Sequence, residues 1–134
     1  MGTNQYHEPP DELSAEVRTF ARMSTSLIEE VEAIGWYQQR ISVEPDAQAR
    51  AIMEDAQKEE FKHFSMDLEF LLRRTPLWRE IAQRTLFTEG DIVSLGTEAE
   101  ETAGDEEEPG EPGPAGIPES GSLGIGSLRE GGPE

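Results

Sequence analysis

The chain contains no cysteine. Disulfides and thiolate metal sites are therefore excluded. It has only two histidines, His7 and His63, too few for a centre built mainly from imidazoles. Basic residues are scarce: 11 Lys and Arg stand against 29 Asp and Glu, for a net charge of −18. That balance argues against a nucleic-acid partner, which needs a basic footprint. It favours cations, which an acidic protein steers toward itself. No apolar run approaches the ~20 residues needed to span a bilayer, and the N-terminus has no apolar signal core. These absences predict a cytoplasmic protein with no membrane partner.

What is present divides sharply along the 134 residues. Residues 98–134 hold eleven acids, one base (Arg129), nine glycines and five prolines. Such a segment cannot bury enough apolar surface to offset chain entropy. We therefore expect disorder over 1–9, 93–120 and 130–134, and a folded helical domain over 10–92. A domain of that size has little interior, so its apolar face needs a second copy to bury against.

The patterning is helical throughout. Pro10 and Asp11 predict a helix start, and the first helix should run from about Asp11 to Ser42. Gly35 weakens it by ~1 kcal/mol relative to Ala, and Pro45 follows its end. A second helix is expected from about Asp46 to Arg74, with Arg73 and Arg74 complementing its C-terminal dipole. Thr75-Pro76 reads as the start of a short third helix to about Leu86. Gly90 is expected to end regular structure. The fold class is all-α: an antiparallel two-helix hairpin plus a short third helix. A four-helix bundle is then completed by dimerisation.

Met23, Leu27, Glu30, Ile34, Tyr37 and Ile41 form one stripe of the first helix. Met53, Ala56, Glu60, His63, Phe64 and Leu71 form another on the second. Each stripe is apolar except at its ligand-type residues. Glu60 and His63 are three apart, so both can converge on one ion. Carboxylate with imidazole suits iron or zinc better than calcium or magnesium. Glu30 and Glu60 each lie about fourteen residues from the turn at Glu44-Pro45-Asp46, so a hairpin brings them level, about 21 Å from it. One Glu plus one Glu-x-x-His is half of a di-iron carboxylate set. Two chains would supply the whole. The same spacing also fits two interface-edge carboxylates beside a satisfied core histidine. A second constellation, Glu29, Glu32 and Trp36, shares a different helical face. It fits either a cation path or an acidic surface with Trp36 in oligomer packing.

These residues resemble the encapsulated ferritins, ferritin-like proteins packaged inside encapsulin shells. The matching stretches are His7-Glu8-Pro9, the run from Ile28 to Arg40, Glu59-Glu60-Phe61-Lys62-His63 and Leu86-Phe87-Thr88-Glu89-Gly90. Near the end, the run from Gly121 to Arg129 resembles the peptide that docks cargo on an encapsulin wall. The resemblance implies a ferroxidase with iron in a di-iron centre at a dimer interface. Ferrous iron and dioxygen are the implied substrates. The implied ligands are Glu30, Glu60 and His63 of each chain, with Glu60 bridging and Tyr37 nearby. It further implies a metal-access or secondary site at Glu29, Glu32 and Trp36, and a homo-oligomeric ring of five dimers. The implied targeting peptide spans 121–129, anchored by Leu123, Ile125 and Leu128. It places the protein inside an encapsulin nanocompartment, where the shell stores the iron mineral. Phe61 departs from the family pattern, which favours charge there. Two alternatives of other classes are a non-catalytic helical scaffold or adaptor cargo, and a di-metal protein such as a zinc-binding or peroxidase-like one.

Overall fold

Three helices begin by the same device, a side-chain oxygen accepting a free backbone N–H of the first turn. The structure, a computed structural model, describes residues 5–105. Helix α1 (Ala15–Val43) follows Ser14, whose hydroxyl accepts the Val17 N–H at 3.2 Å. Helix α2 (Ala47–Arg74) follows Asp46, whose carboxylate accepts the Ala49 N–H at 2.8 Å. Between them lies a tight turn. Arg50 donates to the Glu44 carbonyl at 2.6 and 3.2 Å, while the Glu44 carboxylate accepts the Asp46 N–H. Helix α3 (Pro76–Thr85) opens on proline, whose missing N–H would have no helical partner anyway. Among the described residues there is no strand.

The first helix starts later than expected. Pro10–Glu12 forms a single 3-10 turn, and Leu13 is extended, so the α-helix begins only after the Ser14 cap. A larger correction concerns the chain after Gly90. Regular structure does not stop there: Gly90 takes φ 119°, and helix α4 (Ile92–Thr102) follows. Asp91 caps it, accepting the Ser94 N–H at 2.8 Å and the Ser94 hydroxyl at 2.7 Å. Those bonds hold the Asp91 carboxyl below its usual range. The expected disorder over 93–120 thus fails for 93–102; residues 106–120 lie outside the described residues. So do residues 1–4 and 121–134, including Leu123, Ile125 and Leu128.

Helices α1 and α2 form an antiparallel hairpin. The Gln57 amide of α2 crosses to the Ile34 carbonyl at 3.2 Å and to the Gln38 side chain at 3.1 Å. It is the one buried polar residue among those described. Two α3 ties run to either side. Glu69 of α2 accepts from Arg79 at 3.2 Å, and its carboxyl is held below the usual range first by Arg73 and then by Arg79. Glu80 takes Arg84 on one oxygen at 2.9 Å and the Gly104 N–H on the other at 3.1 Å, while Arg84 also donates to the Thr102 hydroxyl. These bonds dock α4 on α3, and Ala99 is buried in the seam.

Few apolar side chains are fully enclosed: Leu71, Leu72, Ala82 and Ala99 among the described residues. The expected α1 stripe is only half-buried. Val31, Ile52, Phe61, Met66, Leu77 and Phe87 are exposed. No helix among the described residues is long and apolar enough to cross a membrane.

Candidate metal centre

The hairpin register brings three ligand-type side chains together midway along it. Glu30 comes from α1, Glu60 and His63 from successive turns of α2. One ligand atom from each lies within 4.8 Å of the others. The His63 Nδ1 is 3.4 Å from a Glu60 oxygen and 3.9 Å from a Glu30 oxygen. Among the described residues this is the cluster of His and acidic groups compact enough for one ion.

Burial and charge act together on the trio. The side chains of Glu30 and Glu60 are only 24% and 22% exposed, against 46% for His63. The Glu30 carboxyl is pushed up to about 7 from an ordinary 4.5. Sharing a proton with Glu60 is the main cause. Desolvation and the Glu60 charge add to it, and His63 opposes it. Two carboxylates facing each other in a partly dry seam resist joint ionisation. A divalent cation removes that resistance by replacing the shared proton. The donor set of two carboxylates and one imidazole suits iron, and also zinc. The residues present therefore fit a metal ion, to which one chain would offer three donors.

The other predicted residues are placed elsewhere. Glu29 and Glu32 are exposed on α1, and Trp36 is 54% exposed. Trp36 lines a shallow cleft of about 280 Å³ with Gln39 and Arg40. That cleft holds neither glutamate and none of the trio. Tyr37 is half-buried, with the Arg40 guanidinium 5.7 Å from its ring centre. Phe61 is exposed, so its apolar side chain does not crowd the trio from within the hairpin.

Two residues escaped the motif reading. Gln57 sets the hairpin register through its amide. Its signal was available only as a polar residue one helical turn before Phe61. Asp67 lies beyond the trio on α2 and contributes to raising the Glu30 carboxyl. The signal for it was spacing: it is four residues past His63 and seven past Glu60, on the same helical face.

Residues 5–89 match the family described as EncFtn-like. A ferritin-like protein of Thermotoga maritima is 42% identical over 107 residues, covering 80% of this chain and 91% of that protein. An encapsulated ferritin-like protein of Rhodospirillum rubrum is 39% identical over 129 residues, covering 96% of this chain and 91% of that one. A crystal structure of a protein from Nitrosomonas europaea superposes with a TM-score of 0.63 at 38% identity. It covers 65% of this chain and 96% of that one.

Proposed function

The chain belongs to the EncFtn-like family, and from that premise we propose that it is a ferroxidase. Ferrous iron and dioxygen are its substrates: each of two ferrous ions gives up one electron, and dioxygen accepts both. The observation that supports this most is the convergence of Glu30, Glu60 and His63 within 4.8 Å. Three donors from one chain are half of a two-metal carboxylate set. A second copy, related by a two-fold axis, supplies the other half. The sparse interior of the single hairpin supports the same pairing.

The chain's own groups have separable roles. Glu60 and Glu30 balance the charge of the ions, and hard carboxylate oxygens favour the ferric product. His63 supplies the nitrogen donor. Glu30 gives up its proton as a cation arrives, because the cation outcompetes the proton that the two carboxylates share. Glu29 and Glu32 form an outer acidic face that takes up cations on their way inward, with Trp36 helping to set its geometry, and Tyr37 lies on the Glu30 stripe two turns along α1. The encapsulated relative in R. rubrum supports enclosure in an encapsulin shell; residues 121–129 are the address in this reading, and the shell stores the mineral.

Stopped-flow oxidation of ferrous iron, read at the ferric absorbance, tests the assignment. His63→Ala removes a donor without adding bulk, and the initial rate should fall at least tenfold. A rate equal to that of the unaltered chain would move the chemistry to other residues.

A further inference from the structure

The chain as a whole carries a charge of −18, yet its sign reverses toward the end of α2. Residues 62–79 hold four bases, Lys62, Arg73, Arg74 and Arg79, against two acids, Asp67 and Glu69. A groove of about 580 Å³ runs along this part of α2, with Lys62, Met66, Phe70, Arg73 and Arg74 in its lining. Glu69 is the one acid that lines it, and it is shared. A single Glu69 oxygen accepts from Arg73 at 2.9 Å and from Arg79 at 3.2 Å. Lys62 pairs with Glu59. Arg74 has no carboxylate partner among the described residues; it donates to the Phe70 carbonyl at 3.4 Å and stands 3.5 Å from the centre of the Phe70 ring. Lys62, Met66, Arg73 and Arg74 are exposed. Bases interleaved with apolar side chains fit an extended acidic segment.

The chain itself delivers such a segment to this place. Helix α4 runs back along α3: Arg84 donates to Thr102, and one turn earlier on α3 Glu80 accepts the Gly104 N–H at 3.1 Å. A Cβ at Gly104 would lie 3.9 Å from the side chain of Leu77. Leu77 is three residues past Arg74, so Asp105, the last residue described, follows close to the basic end of α2. The sequence continues Glu106-Glu107-Glu108-Pro109-Gly110-Glu111, which gives residues 105–111 five acids and no base. The lengths match as the charges do. From Arg74 to Lys62 is ~18 Å along the helix, at about 1.5 Å per residue. Six extended residues from Asp105 to Glu111 span ~20 Å, at about 3.3 Å each.

We propose that this groove is the docking surface for the chain's own acidic run, residues 105–111, with the carboxylates against Arg74, Arg73 and Lys62 and the backbone over Met66 and Phe70. Exposed ion pairs are individually weak. A segment tethered at one end of the groove is held there at high effective concentration, so several weak pairs suffice. The contact needs no metal and stands apart from the iron chemistry. It fixes the start of the linker on the folded domain and leaves residues 112–120 as the span to residues 121–129.

Disulfide trapping in the full-length chain tests this. The chain has no cysteine, so Ser65→Cys, in the groove lining, with Gly110→Cys makes a unique pair. Under mild oxidation at low salt the pair should close within one chain, as read from the mass of the linked peptides. Glu106→Gln, Glu107→Gln and Glu108→Gln together keep the tether's length and leave the helices' own sequence unaltered. They should slow closure at least tenfold. So should 1 M salt, where the screening length falls to about 3 Å. Arg73→Gln with Arg74→Gln should slow it as much, with helical circular dichroism to confirm folding, whereas Arg73→Lys with Arg74→Lys should retain it. Closure at an unaltered rate in the three-glutamine variant would reflect the tether alone and overturns the proposal. Failure of the pair to close overturns it as well. A disulfide between two chains in place of the internal one gives the groove to another copy's tail, which also overturns the assignment.

Discussion

Glu30 is the residue on which the electrostatics of the hairpin turn. Its carboxyl, raised to about 7 by Glu60 and burial, binds a proton more tightly in the folded chain than in the unfolded one. That contribution to stability is complete below about 4.5 and is lost as pH rises through about 7. In metal-free protein, denaturant midpoints across that window should therefore fall less for Glu30→Gln than for the unaltered chain. Equal slopes would show that Glu30 ionises freely. Metal binding runs the opposite way, since a cation must displace the proton: affinity should fall as pH drops below about 7. The trio itself was legible because helical spacing and apolar neighbours are properties of single segments. Gln57 was not: its role depends on the Ile34 carbonyl and the Gln38 side chain that it meets across the hairpin, which only the packing of α1 against α2 defines.

At the scale of the element, the long hairpin and α3 followed their patterns, and α4 did not. Averaged over 98–134, acid, glycine and proline hide the single small residue, Ala99, that fills a seam against α3. The Asp91 cap was visible as an acid three residues before Ser94, yet a cap alone does not make a helix. Docking through Arg84, Glu80, Thr102 and Gly104 supplies the rest. Asp91→Ala should destabilise α4, because it removes the acceptor of the Ser94 N–H and leaves that first-turn donor without a side-chain partner. Hydrogen exchange should then show faster amides over 92–102 and unchanged protection near Gln57. Gly35 makes the opposite case. A methyl there meets nothing within 4 Å among the described residues, so Gly35→Ala should raise stability by ~1 kcal/mol through helix propensity. A lower melting temperature for that variant would mean that another copy packs against the glycine.

For the whole molecule, the sparse core and the exposed Val31, Phe61, Met66 and Phe87 accord with a chain that finishes folding against copies of itself. The proposed pairing of two copies rests on the size of the domain and the half-complete ligand set, both of which the sequence shows; how a second copy would be oriented depends on surfaces of two chains together, which no single segment defines. The terminal peptide belongs to this scale too. Deleting residues 121–129 should abolish co-purification with an encapsulin shell and leave iron oxidation intact; packaging at the original efficiency would place the address elsewhere. The claim that joins these strands is that two copies share one centre, each contributing Glu30, Glu60 and His63. Sedimentation of the full-length chain during an anaerobic ferrous titration measures mass and tightly bound iron together. The account predicts one tight ferrous ion per chain, with mass rising from the apo value to at least that of a dimer as those ions bind. Tight iron on chains that remain monomeric would contradict it.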